Sequence, residues 1–108
     1  MAEAVSPIGN KIQSIGSFLF TLNKYGFFYD YEPSKREVKI KGRVRFVENS
    51  PVFNLCIRQN KIRGIQVLDN GKMKIIRIIN MTQYVFDVLE IPKDWHIKFK
   101  KGYLIINY

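Results

Sequence analysis

The sequence is poor in the residues that most enzyme centres are built from. It holds one cysteine, one histidine and one tryptophan in 108 residues. A lone thiol, Cys56, cannot close an intrachain disulfide, and such a chain is expected in the reducing cytoplasm. With His96 as the sole imidazole, no histidine-dependent triad can be assembled from a clear motif, and a structural zinc site lacks its ligands. Beside Trp95, His96 reads as a surface strand residue. No run of about 18 apolar residues occurs, so no membrane-spanning helix is expected. The first residues lack a basic segment leading into an apolar core and a small-residue cleavage site, so no secretory leader is expected. No Gly-rich phosphate loop is present, and neither a cofactor nor a metal is expected.

Negative charge is scarce as well. Nine Asp and Glu stand against 18 Lys and Arg, a formal charge of +9. A balance that positive attracts polyanions such as nucleic acid, ribosomes or anionic membrane. The plainer account is a lysine excess that keeps strand faces solvated. A hydrophobic content of 46% with 25% charged residues excludes wholesale disorder. The length suits one compact domain with its own core. Isoleucine and lysine are abundant, a bias shared by thermophilic proteins and AT-rich genomes.

Ser6-Pro7 reads as an N-cap followed by proline at the first helical position. Ile8, Ile12, Ile15, Leu19 and Leu22 then form one apolar stripe, and Gly26 is placed to cap a helix ending near Tyr25. The polar side carries only Lys11 and Lys24 as cations, which suits a membrane-surface helix poorly. The stripe is therefore expected to dock on the fold or to pair with a second copy as a homodimer. Phe18 and Phe20 widen the apolar surface. The aromatic run Phe27-Phe28-Tyr29-Asp30-Tyr31, broken by Pro33-Ser34, either covers the core edge or forms a contact surface. Residues 1–26 thus read as tail and helix, and 27–108 as the β-domain on which they sit.

The clearest alternation follows. Val38, Ile40, Val44 and Phe46 share one face across Gly42, and Lys39, Lys41, Arg43 and Arg45 share the other. Four cations in a row make an anion-binding stripe if neighbouring strands add to it, and guard an edge strand if they do not. Further strands are read at Val52–Ile57, Ile62–Leu68 and Met73–Ile79, the last two flanking the hairpin signal Asn70-Gly71. A three-residue bulged turn is preferred there, because it pairs Val67 with Met73 and Ile65 with Ile75 and so gathers four apolar residues on one face. Tyr84–Ile91, Trp95–Phe99 and Tyr103–Asn107 complete the set. Together these predict a mainly β fold: an antiparallel β-sandwich of about seven short strands preceded by one N-terminal amphipathic α-helix.

The last two strands, IKFKKGYLII (Ile97 to Ile106), resemble the closing AxxxxGVLTI-type signature of the α-crystallin domain of small heat-shock proteins. VFDVLEIP is similar to the strand that ends in Leu-Pro in that family, and NKIRGIQVLDNGKMKI to its internal hairpin. Ile97 stands where the family has Ala, and Tyr103 where it has Val. No long dimerisation loop fits between Ile79 and Tyr84, and no Ile-x-Ile tail is expected after Tyr108. These departures turn the resemblance toward CS-domain co-chaperones, which share the sandwich and act as monomeric adaptors. The resemblance implies a non-catalytic, chaperone- or adaptor-like domain that takes partner segments in an apolar sheet-edge groove. Phe18, Phe20, Phe27, Phe28, Tyr29 and Tyr31 are the partner-contact candidates.

Two rival readings come from the residues themselves. A nucleic-acid or ribonucleoprotein binder would use Lys39, Lys41, Arg43 and Arg45, extended by Lys72, Lys74, Lys98, Lys100 and Lys101. Stacking from Tyr25 to Tyr31 or from Trp95 would add grip. A Mg²⁺-dependent nuclease would use Asp30 and Glu37 to hold the ion and Lys39 to assist the attacking water. Glu-x-Lys arises readily by chance on charged strands, so a non-enzyme is expected.

Overall fold

A computed structural model describes residues 10–47, 50–57, 61–68, 71–80, 82–100 and 102–108. Side chains are described for all of these except 10, 43–47, 50–57, 61–63, 78 and 79. In chain order the elements are β1 (Asn10–Lys11), α1 (Ile15–Lys24), β2 (Tyr29–Glu32), a 3-10 turn (Pro33–Lys35), β3 (Glu37–Lys41) and β4 (Arg43–Val47). They continue with β5 (Ser50–Ile57), β6 (Lys61–Val67), β7 (Lys72–Ile79), β8 (Thr82–Glu90), β9 (His96–Lys100) and β10 (Tyr103–Asn107). One sheet has the order β1-β8-β7-β6-β5-β4 and the other β2-β3-β10-β9. The fold is mainly β, two antiparallel sheets with a helix near the N-terminus. Among the described residues the single parallel pairing is the two-residue contact of β1 with Leu89 and Glu90.

The helix is shorter than the apolar stripe predicts. Ser6-Pro7 lies outside the described residues, but Asn10 and Lys11 are strand, and the Ile12 amide donates to the Glu90 carbonyl at 2.9 Å. The edge of β8 offers main-chain partners there, so the segment extends instead of coiling. Helix begins only at Ser14, whose hydroxyl accepts the Ser17 amide at 3.2 Å while the Ser17 hydroxyl accepts the Ser14 amide at 3.4 Å. That reciprocal cap satisfies two donors the first turn would otherwise leave open. Ile15, Phe18, Leu19 and Leu22 form the docked face, with Phe18 and Leu22 fully buried.

The far end closes as Gly26 suggests. Its φ is 79°, its amide donates to the Asn23 carbonyl at 3.1 Å, and the Phe27 amide donates to Leu22 at 2.9 Å. This paired Schellman arrangement reverses the chain and drops Phe27 into the core beside Leu22.

Gly42 divides the long alternating segment. β3 stays in the four-stranded sheet between β2 and β10, while β4 pairs with β5 in the six-stranded one. Strands that change sheets make the corners of such two-layer folds. This split, together with β1 and β2, raises the strand count among the described residues to ten. The internal hairpin has the bulged-turn register, with Val67 opposite Met73 and Ile65 opposite Ile75. Gly71 takes φ 80°, and the Leu68 amide reaches the Lys72 carbonyl at 2.8 Å.

Between the layers lie Val38, Ile40, Leu104 and Ile106 from one sheet and Ile65, Met73, Ile75 and Leu89 from the other, with Phe18 and Leu22 joining them. A bulge in β8 serves the helix. Ile75 pairs with Asp87 and Ile76 with Val85, so Phe86 is the extra residue. Asp87, 6% exposed, accepts the Tyr25 hydroxyl at 2.9 Å and the Val88 amide at 2.9 Å, and Phe86 stacks on the Tyr25 ring. Among the described residues no helix is long and apolar enough to cross a membrane.

Gly26→Ala forces a Cβ into the left-handed region and should cost about 1–2 kcal/mol in urea unfolding. Leu22→Ala should cost about 2–5 kcal/mol by cavity formation. If both leave the midpoint unmoved, the helix does not dock as described. A double-mutant cycle of Tyr25→Phe with Asp87→Asn should give a coupling of about 1.5–3 kcal/mol, the range for a hydrogen bond to a charged group. A coupling near zero would separate the helix end from the bulge.

A lysine-lined face on the four-stranded sheet

Alternation decides what each strand of the smaller sheet shows to solvent. Val38 and Ile40 point into the core, so Glu37, Lys39 and Lys41 point out. Leu104 and Ile106 point in, so Tyr103, Ile105 and Asn107 point out. On β9, Ile97 and Phe99 pack inward and His96, Lys98 and Lys100 are exposed. The register aligns these residues in rows. Lys41, Tyr103 and Lys100 form one, Lys39, Ile105 and Lys98 the next, and Glu37, Asn107 and His96 the third. Asp30 and Glu32 on β2 extend the second and third rows.

The result is a face with a charge gradient. Two lysine columns run along β3 and β9, about 9.5 Å apart across one intervening strand. Between them lie the half-buried ring of Tyr103 and Ile105, which is only 5% exposed although it faces outward. Lys39 and Lys98 are its direct cross-strand neighbours, and lysine stems cover apolar surface while keeping their ammonium groups in water. The Lys39 ammonium sits 6.0 Å from the Tyr103 ring centroid and 3.7 Å from Glu37. Lys41, Lys98 and Lys100 are exposed and have no acidic partner among the described residues. Negative charge collects at the opposite end, around Glu32 and Glu37.

The nine cations proposed from sequence therefore separate. Lys39, Lys41, Lys98 and Lys100 converge. Lys72 and Lys74 lie on β7, where Met73 and Ile75 take the inward positions, so they face out from the other sheet, Lys72 directly across from Glu90. Arg43 and Arg45 lie on β4 in that same sheet, with side chains outside the description, and Lys101 is outside the described residues. The expected continuous row from Lys39 to Arg45 is corrected by the change of sheet at Gly42.

The aromatic candidates separate in the same way. Phe18 and Phe27 are core residues, not a contact surface, because the helix face and the Schellman turn direct them inward. Tyr29 accepts Asn23 Nδ2 at 3.1 Å. The Tyr31 and Tyr108 hydroxyls meet at 2.7 Å, and this bond holds the Tyr31 phenol above its ordinary titration range. Arg36 lies 4.6 Å over the Tyr108 ring and donates Nε–H to the Tyr108 main-chain oxygen at 2.7 Å. Trp95 packs edge-on against Phe18 and tilted on Tyr108, both at 5.8 Å. These groups fasten the last strand and the helix to the core. Phe20, 71% exposed, and Phe28, 64% exposed, remain at the surface.

Asp30, Glu37 and Lys39 do share the outer face, with Asp30 directly across from Lys39. Glu37 faces Lys39 and accepts Asn107 Nδ2 at 3.4 Å. Among the described residues no three His, Cys, Asp or Glu side chains gather as a metal-holding group. Tyr103 was not singled out from sequence. The signal was present in Lys98-x-Lys100 followed by a tight turn, since a two-residue turn at Gly102 sets Tyr103 opposite Lys100. No protein-family model matches this chain, and no curated protein or solved structure matches it either.

Proposed function

We propose that this chain is a non-catalytic nucleic-acid-binding domain whose contact surface is the outer face of the four-stranded sheet. The observation that carries this reading is the placement of Lys39 and Lys41 on β3, an interior strand. An edge guard needs its charges on an edge, and β3 is paired on both sides. β9 is the edge strand, so a guard would account for its lysines alone, but they stand in register with the β3 column and the two flank an aromatic ring. Four cations around a tyrosine supply what a phosphate backbone needs, namely charge for counterion release and a flat apolar surface for sugar or base.

Labelled oligonucleotide should bind at 50 mM salt and lose about 50- to 150-fold in affinity by 200 mM if all four lysines meet phosphates. Replacing Lys39, Lys41, Lys98 and Lys100 together by Gln should remove most of the binding and flatten the salt dependence. Each single change should alter stability by less than about 0.5 kcal/mol. Absence of binding to any DNA or RNA at 50 mM salt would sink the reading. Mg²⁺-dependent cleavage lost in Glu37→Gln would replace it with the nuclease. The exposed Phe20 and Phe28 favour a second reading, a protein-holding surface of the chaperone or adaptor kind. It predicts salt-independent suppression of turbidity in a heated client, and equal turbidity with and without the protein would remove it.

A further inference from the structure

The lysine-lined face carries an aromatic ring between its two lysine columns, and that ring bears on which nucleic acid would suit it. Tyr103 stands at the centre of the outermost row, between Lys41 and Lys100. Its ring is half-buried, with the Lys39 ammonium at 6.0 Å. Successive lysines in one column are two residues apart, which along a strand is about 6.7 Å. The two columns are about 9.5 Å apart. Among the described residues no helix or β-ribbon projects from this face, so nothing is shaped to enter a major groove about 12 Å wide. A duplex laid on this face would set its phosphates on the lysines and leave the tyrosine without an apolar partner, because its bases are stacked on one another. A single strand has unstacked bases, and each presents a π-face to an aromatic side chain whatever its sequence.

We infer that the ligand of this face is single-stranded nucleic acid, with one base stacked on Tyr103 and the flanking phosphates held by Lys41 and Lys100 on one row and Lys39 and Lys98 on the next. This rests on the nucleic-acid reading above and narrows it. Every other aromatic that sequence offered for stacking, apart from Phe28, is engaged within the fold. Tyr25 bonds Asp87 and stacks on Phe86, Tyr29 accepts Asn23, Tyr31 bonds Tyr108, Trp95 packs on Phe18 and Tyr108, and Phe27 is buried. Tyr103 is the ring that Lys41 and Lys100 flank, with Lys39 and Lys98 in the next row. The tyrosine contributes through its face and not its hydroxyl, so phenylalanine should serve in its place.

The test is fluorescence anisotropy at 50 mM salt with three labelled probes of equal length: oligo-dT, oligo-rU and a mixed-sequence DNA duplex. Wild-type protein should bind both single strands at least 10-fold more tightly than the duplex. The oligo-dT and oligo-rU arms separate a DNA ligand from an RNA ligand. Tyr103→Thr, which keeps a β-branched residue in the strand, should weaken single-strand binding by about 5- to 150-fold, with duplex binding and the salt slope unchanged. Tyr103→Phe should retain wild-type affinity. Equal binding of single strand and duplex, or a Tyr103→Thr variant that binds single strands as the wild type does, overturns the single-strand inference and leaves the broader nucleic-acid reading intact. Binding to none of the three probes overturns both. If Tyr103→Thr fails to fold by circular dichroism, quenching of intrinsic tyrosine emission by oligo-dT in the wild type, abolished in Tyr103→Phe, decides the same point. No quenching overturns the inference.

Discussion

At Gly42 the chain passes from one sheet to the other within a single residue, and much of the molecule follows from that corner. The Gly42 amide donates to the Gly102 carbonyl at 2.9 Å, so the corner is tied to the turn between the last two strands. This contact sets β3 beside β10 and releases β4 to begin the larger sheet. Had the alternation run straight from Val38 to Phe46, its four cations would form one row on one strand. The corner instead puts Lys39 and Lys41 into a smaller sheet, where β9 supplies two more lysines in register.

The helix depends on the same two layers. Phe18 and Leu22 reach the core that both sheets share, and Tyr25 is held by a carboxylate that a β8 bulge turns inward. A buried carboxylate requires partners, and Asp87 has the Tyr25 hydroxyl and its neighbour's amide. The helix thus docks on its own fold through four residues at helical spacing, one of the two destinations its apolar stripe allowed. The exposed phenylalanines on and after it, Phe20 and Phe28, lie off that stripe.

Several features were legible in the residues. Gly26 ended the helix because a left-handed position beyond the last turn favours glycine. The hairpin register followed from the demand that Ile65, Val67, Met73 and Ile75 share a face. The strand Tyr103–Asn107 appears with those bounds, because Gly102 and the apolar run leave few alternatives. The candidate site was half legible. All four lysines stand out in the sequence, but among nine, and the aromatic ring beside them is less conspicuous than a run that folding, Phe28 apart, consumes in its own contacts.

The sequence by itself determined the period of each segment, the turns between them and the excess of positive charge. These are local properties, set by side-chain alternation, glycine conformations and composition. Only the tertiary structure decided which cations are neighbours, because strand order is a long-range matter: β3 meets β10 across more than sixty positions of sequence. It also decided that Asn10 and Lys11 extend rather than coil, since their main-chain partners lie on β8. Local pattern fixed which way each side chain alternates. Non-local pairing fixed what stands beside it, and a binding face is made of what stands side by side.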